Sequence, residues 1–487
     1  MKKKHLCLLI FLFVSAHILF GQKKKVNYEA EISAHVSSKS TLPFWMVANK
    51  YGIVPEENNG LLQYRIYTKV DTNKQLNFDF GSSVVASQGD KTELFVNELY
   101  GNLQWRFINT YIGIKNREVR YDGLSVINGD LLFSNNARSY PEIRIESKDF
   151  ISLRGLENII SLKGSFANGV MLDKRYVNNA NVHHKNLFVK FGEYKGFSLI
   201  VGMDHYVQWG GKSPIWGNMG GFDAFVDAVC VQSGQVLIDK DGNSSNTESL
   251  NKGGNHLVQN SFQLNYSHSK ISINTYLRNI TEDNSGDFMH LPDVRDWNFG
   301  LFVKLKKCKI VSSFMYEHFY SKHQDDEIIR PWHKDEPVIG YDNYFNNSVY
   351  RSGWTSYGRT IGNPLFTPKN KENGITLGVY NNAIKAHHFG VTGSIAGFNY
   401  KLKTTFSKNY GRAFLTNDGV GNNPENYYRE YTITPPNKQQ SYSLELEMTK
   451  IKKIPFEVVM GLTYDNGEHL KDNNFGAFIS ISKKGIF

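Results

Sequence analysis

"NFGAFISISKKGIF", Asn474 to Phe487, closes the chain, and its pattern decides the fold. Phe475, Ala477, Ile479 and Ile481 fall on one side of an extended strand, and Gly476, Phe478, Ser480 and Ser482 on the other. Chain ends are usually loose and polar. This one ends on a bare phenylalanine in the apolar row. Phe475 and Phe487 are twelve positions apart, which is ~40 Å of strand at ~3.3 Å per residue. A tilt near ~40° turns that into roughly 30 Å of height, slightly more than the ~25 Å apolar band of an outer-membrane barrel. The two rings therefore bracket a lipid belt as girdle aromatics do. Lys483, in the same row, would sit near an interface, where a cation costs ~0–1 kcal/mol.

The same period of two recurs along almost the whole chain. Tyr442, Leu444, Leu446 and Met448 alternate with Ser443, Glu445 and Glu447. Phe398, Tyr400, Leu402, Thr404 and Phe406 alternate with Asn399, Lys401, Lys403 and Thr405. Trp297, Phe299, Leu301, Val303 and Leu305 follow the rule, as do Leu76, Phe78 and Phe80. Strands with one wet and one dry face produce this pattern. Roughly 16 to 18 such segments of about ten residues can be marked, the spacing of a transmembrane barrel. "FGEYKGF" (Phe191 to Phe197) reads as a short hairpin connection, and "DKDGNSSNTESLNKGGN" as a long loop. Alternation of short and long connections is a barrel property.

Composition agrees. Mean hydropathy is −0.42, yet the chain holds 32 Phe and 27 Tyr. No stretch after the N-terminus reaches the ~20 consecutive apolar residues of a membrane helix. Met1 to Gly21 reads as a secretory leader. Lys2, Lys3 and Lys4 precede the apolar run Leu6 to Val14, and Leu19-Phe20-Gly21 offers a cleavage site before Gln22. Cys7 lies inside that run, so it is not a lipid-bearing cysteine following a cleavage site. Removal of the leader lowers the formal charge from +10 to +7, a modest basic excess that suggests an acidic partner. Cys230 and Cys308 form no zinc motif, and their pairing stays open.

Two segments depart from the alternation. "GGFDAFVDAVCV" sets Phe222, Phe225, Val226 and Val229 at helical spacing, with Asp223 near the start. Between Arg117 and Tyr140 the alternation fades. Both segments, about 117–140 and 221–232, are expected to plug the lumen; the plainer alternatives are a helix that packs against the sheet at 221–232 and an insert folded beneath the barrel at 117–140. The fold expectation is one all-β domain, residues 22–487: a closed antiparallel transmembrane barrel of about 18 strands, with helical and loop inserts inside.

Catalytic motifs are missing. "GGKS" (Gly210 to Ser213) resembles the tail of a phosphate loop, but Tyr206 stands where that loop needs glycine and Pro214 interrupts the helix that should follow. Neither H-E-x-x-H nor G-x-S-x-G occurs. His183-His184 and His387-His388 are neighbours on strands, so each pair faces opposite sides and chelates poorly. No cofactor, metal or nucleic acid is expected. A lipase-like site on the wall would need a motif that is not there.

Four irregular stretches, rich in aromatics, Gly and Arg or amides, remain. They are "LPFWMVANKYG" (Leu42 to Gly52), "SNNARSYPEIRI" (Ser134 to Ile145), "VGMDHYVQWGG" (Val201 to Gly211) and "YRSGWTSYGRTIGNPLF" (Tyr350 to Phe366). Their blander reading is membrane-girdle Trp and Tyr, with Arg and Glu paired across the lumen. As a set they suit an acidic sugar chain: guanidinium for uronates, aromatic faces for pyranose rings, amides for hydroxyls. Candidate contacts are Arg138, Arg144, Trp209, Arg351, Trp354, Tyr357 and Arg359.

In these same stretches the chain resembles the capsule-assembly Wzi family of Gram-negative outer membranes. "LPFWMVANKYG", "SNNARSYP", "QWGG" and "GRTIGNPLF" occur in the family's order, spread over most of the chain after the leader. The resemblance implies an 18-stranded barrel closed internally by helices and loops. It would act as a non-enzymatic surface lectin that holds capsular polysaccharide at the outer membrane. The expected partners are an acidic capsular polysaccharide, outer-membrane lipid and, during insertion, the barrel-assembly machinery, whose recognition signal a closing strand ending in Phe resembles. The alternative is a porin or transport channel with a similar wall, and the state of the lumen separates the two.

Overall fold

The computed structural model describes residues 25–69, 75–157, 159–245, 253–282, 296–324, 343–417, 427–448, 455–470 and 472–487. The expected leader, residues 1–21, lies outside them. The wall begins with β1 (Val26–Ser37), β2 (Asn59–Thr68), β3 (Leu76–Gln88), β4 (Thr92–Trp105), β5 (Ile108–Ile114) and β6 (Glu142–Ser147). It continues with β7 (Ile160–Val170), β8 (Asn181–Tyr194), β9 (Phe197–Trp209), β10 (Asn255–Ser267), β11 (Ile271–Glu282) and β12 (Asn298–Leu305). The circuit is completed by β13 (Ser313–Tyr320), β14 (Ile384–Ile395), β15 (Phe398–Asn409), β16 (Asn437–Met448), β17 (Glu457–Gly467) and β18 (Asn474–Ile486). A two-residue piece, Ile151–Ser152, carries on the line of β6 along β7, so the wall counts eighteen strands.

Neighbours are antiparallel and the sheet closes on itself. Ile32 of β1 faces Leu62 of β2 on one side and Ile481 of β18 on the other. Closure leaves the wall without an unpaired edge, the condition for strands in lipid. Outward residues are apolar and exposed: Ile32 58%, Leu62 55%, Leu462 63%. Inward neighbours are polar and paired. Glu445 of β16, for example, binds Lys50 at 3.4 Å and Lys403 of β15 at 3.8 Å.

Aromatic rings mark both edges of the lipid belt. Phe487 packs on Tyr28 at 5.0 Å between centroids. At the far end of β18, Phe475 stacks on Tyr464 at 4.4 Å, and the row runs on through Tyr442 and Phe406. The end that carries the termini has the tight turns. Lys195-Gly196, between β8 and β9, takes φ of 50° and 85°, the left-handed pair a two-residue hairpin requires. Among the described residues, the opposite end carries long connecting segments that include 38–58, 115–141, 210–245 and 343–383. In barrels of this kind the short turns are periplasmic and the long loops extracellular. Cys230 and Cys308 are free and exposed, so the pairing left open by the sequence does not form.

The hydrophobic core lies inside the barrel. Leu124, Ile127 and Leu132 of 115–141 pack against inward residues Tyr206, Tyr276, Met315 and Phe319, with Trp354 from 343–383 and Trp45 from 38–58. Trp45 belongs to a one-turn helix, α1 (Phe44–Val47). Buried strand residues tie the inserts down. Glu317 of β13 accepts hydrogen bonds from Ser125 Oγ (2.8 Å), the Val126 amide (2.6 Å) and the Tyr276 hydroxyl (2.5 Å). Gln259 Oε1 accepts from the Leu131 amide at 2.6 Å, and His388 Nε2 bonds the Leu124 carbonyl at 2.7 Å.

The second expected plug lies elsewhere. α2 (Phe222–Cys230) packs on the outer face of the wall, not in the lumen. Phe225 meets Trp209 at 5.4 Å and His183 at 6.4 Å. Both sit in the rows that include the exposed Leu199 and Leu187, whereas His184 and Tyr206 point inward. Helical spacing announced the helix. It could not say which side of the wall the helix would cover.

Candidate functional site

The four stretches are not all irregular, since Val201 to Trp209 is part of wall strand β9 and Glu142 to Ile145 part of β6, but they meet at the extracellular end of the lumen and interlock. The Tyr51 amide donates to the Asn135 carbonyl at 2.6 Å. Asn136 Nδ2 donates to the Thr360 carbonyl (2.9 Å) and Ser134 Oγ to that of Gly362 (2.6 Å). Gln208 Nε2 reaches the Gly353 carbonyl at 3.3 Å, and Ser356 Oγ that of Arg138 at 3.0 Å. These bonds run between segments up to some 230 positions apart. Much of the amide-rich composition is therefore spent on holding the insert together.

The candidate residues separate into three places. Arg138, Tyr357, Arg359 and Arg351 lie on the insert's outer face. The Arg138 guanidinium stacks on Phe95 (3.5 Å) and Tyr357 (4.9 Å) while donating to Glu93 (3.0 Å) and the Gly52 carbonyl (3.1 Å). Tyr357 is 41% exposed, and its amide donates to Asp173 Oδ2 at 3.2 Å. Burial, and then Asp173, push its phenol up. Arg359 donates to the Val54 carbonyl at 3.0 Å, with Glu56 at 3.7 Å, and burial pulls its guanidinium down from the usual value. Arg351 is exposed, rests on the Tyr176 ring at 4.9 Å, and has no carboxylate partner among the described residues.

Three candidates fall elsewhere, and each is a correction. Trp354 is fully buried, donates Nε1–H to the Leu132 carbonyl at 2.5 Å and offers no ring face to a ligand. Trp209 faces outward from β9 under α2. Arg144 points into the lumen, where it is buried and bonded to Glu142 (2.9 Å) and His184 (2.9 Å). An Arg beside aromatics in sequence does not tell which of these surroundings it will have.

Below the insert, on the side of the termini, the lumen holds a cavity of about 1220 Å³. Glu31, Gln104, Asn109, Lys148 and Lys163 line it, and Arg117, Asp130 and Phe133 of the insert form its roof. Of the insert's cations that line it, Lys115, Arg117 and Arg120, Arg117 pairs with Asp130 at 3.0 Å. On the outer face the sequence reading missed Glu93, Phe95, Asp173 and Tyr176. Glu93 and Phe95 open β4 in ordinary alternation, and nothing local to that strand announces Arg138 as their partner.

A family model described as capsule assembly protein Wzi matches residues 46–379, more than half of the chain. The chain belongs to the Wzi capsule assembly family. Among solved structures it is similar to Escherichia coli Wzi, described as an outer-membrane, carbohydrate-binding β-barrel involved in group 1 capsule assembly. Identity is 12%, 93% of this chain and 83% of that one are covered, and the TM-score is 0.56. That likeness fixes the shared fold. Pseudomonas aeruginosa OpdL (8% identity, 96% and 99% covered, TM-score 0.46) and Acinetobacter baumannii OccAB2 (10%, 96% and 98%, 0.46) are also similar. No curated protein sequence matches the chain. As a Wzi-family barrel the chain is an outer-membrane protein, so its insert-filled end faces the cell exterior.

Proposed function

We propose that this barrel binds an acidic capsular polysaccharide at the cell surface and retains it there during capsule assembly, without catalysing a reaction. The observation that carries the reading is the outer-face cluster. Arg138 is sandwiched between Phe95 and Tyr357, and the same insert carries Arg359 and Arg351, the latter on the Tyr176 ring with no carboxylate partner among the described residues. An exposed phenol ring stacks on a pyranose, and guanidinium groups pair with carboxylates. Glu93 and Glu56 already neutralise part of this charge, so a single sugar unit gains little. Affinity builds up over many units of a repeating polymer. The carbohydrate binding described for Escherichia coli Wzi and the family membership support this reading.

The lumen cavity favours a second reading, a transport channel. The hydrophobic core packed above it argues against that.

The test compares cell-bound and released polysaccharide. A deletion strain should make polymer but shed more of it. A strain with Arg138→Ala, Arg351→Ala and Tyr357→Ala should shed nearly as much, with the barrel folded. Retention unchanged by deletion, or loss of synthesis itself, overturns the role. Wild-type retention in the triple variant removes the proposed site.

A further inference from the structure

The wall under α2 is unusual for a lipid-facing surface. His183 and Lys185 of β8, His205 of β9 and His256 of β10 continue outward rows that lower down are Leu187, Leu199 and Phe262. Polar groups in such rows are costly in the hydrocarbon and inexpensive at its edge. His205 is eight positions above Phe197, ~26 Å of strand and roughly 20 Å of height at a ~40° tilt. With a band of ~25 Å that begins near Phe197, His205 sits ~5 Å below its upper margin, still within the apolar zone.

α2 covers this patch. His183, His205 and His256 are all at most 2% exposed. Lys185 Nζ donates to the Val229 carbonyl, and His205 Nε2 meets His256 Nδ1 at 2.9 Å. The helix has three faces. Phe225 and Ala228 pack on the wall, Asp223 and Asp227 form an acidic stripe, and Phe222 and Val226 form an apolar one. Phe222 is 77% exposed, and Ile238, in the strand pair that follows, is 61% exposed. Phe222 meets Phe225 at 6.4 Å, and Leu237, next to Ile238, packs with the cluster of Val177, Ala180 and Tyr350 at the upper end of β8, so these apolar side chains stand near the height where the lipid belt ends.

We propose that α2 and the pair after it form an interfacial anchor in the outer leaflet. Phe222 and Ile238 enter the boundary between headgroups and acyl chains, and the helix body keeps lipid off the histidine–lysine patch. The occupant is lipid, because the exposed stripe continues the lipid-facing rows of β8 to β10. This inference rests on the barrel alone and not on the polysaccharide reading.

The experiment uses the full chain with Cys230→Ser and Cys308→Ser and one new cysteine: Phe222→Cys, Ile238→Cys or, as a control on the insert's outer face, Lys371→Cys. Each carries an environment-sensitive fluorophore and is refolded into phosphatidylcholine vesicles with bromine near the headgroup or near the chain ends. Heat-modifiable mobility confirms the barrel in each case. Positions 222 and 238 should give blue-shifted emission, quenched more by headgroup-proximal than by deep bromine, while 371 stays unquenched. Solvent-like, unquenched emission at both 222 and 238 overturns the proposal. So does shielding of both positions in native outer membranes but not in vesicles, which would make the occupant a protein.

Discussion

Glu317→Ala should release the insert while sparing the wall. The Glu317 carboxyl group is fully buried and accepts three hydrogen bonds, two of them from Ser125 and Val126 of the insert. Alanine leaves the Val126 amide, the Ser125 hydroxyl and the Tyr276 hydroxyl without acceptors. A stranded buried donor costs ~1–3 kcal/mol, so the three together cost roughly 3–9 kcal/mol, the lower end where water fills the vacated space. At about 1.4 kcal/mol per factor of ten, even the low figure opens the insert ~100-fold more often. Glutamine keeps one acceptor oxygen and should fall between. The assay is amide hydrogen exchange of the folded barrel in detergent. The Val126 amide should exchange at least ~100-fold faster, with Leu131 to Phe133 following, because these amides, bonded to Gln259 of β10 and to Asp130, belong to the same insert. Amides of β18 should not change. If Val126 exchanges at the wild-type rate in a folded Glu317→Ala barrel, Glu317 does not hold the insert and the reasoning fails.

Reconstituted wild-type protein should show no stable large-conductance openings in a planar bilayer, since a packed core stands above the cavity; porin-like steps would favour the channel reading. Phe487→Asp should lower the yield of heat-modifiable barrel in the outer membrane, because it places a charge beside Tyr28 at the interface; full yield would count against a role for the terminal ring. Binding of acidic polysaccharide should weaken as salt rises, since exposed charges are screened over ~8 Å at physiological ionic strength, and salt-independent binding would point to uncharged contacts. N-terminal sequencing of the exported chain should begin at Gln22, and a retained Met1 would refute the leader.

The wall was legible because lipid reads a strand one residue at a time. Leu402 lies outward and Lys403 inward whatever the rest of the chain does, so period two in the sequence is period two in the barrel. The insert was not legible in this way. Val126 finds its acceptor 191 positions away on Glu317, and no local pattern encodes that partner. Trp354 shows the cost of reading locally: beside Arg351 and Tyr357 it looks like a stacking platform, yet its indole closes the core against Leu132. Arg138 was found for the same local reason, and it is on the surface only because β4 brings Phe95 and Glu93 beneath it. α2 carries the most general lesson. A nine-residue amphipathic stretch fits the inside and the outside of a barrel equally well, so its own sequence cannot choose between them. The deciding signal was in the strands: His183, Lys185, His205 and His256 interrupt rows that lipid requires to be apolar, all at one end of three adjacent strands. An interruption of that kind needs a cover, and α2, which follows β9 in the chain, is long enough to supply it.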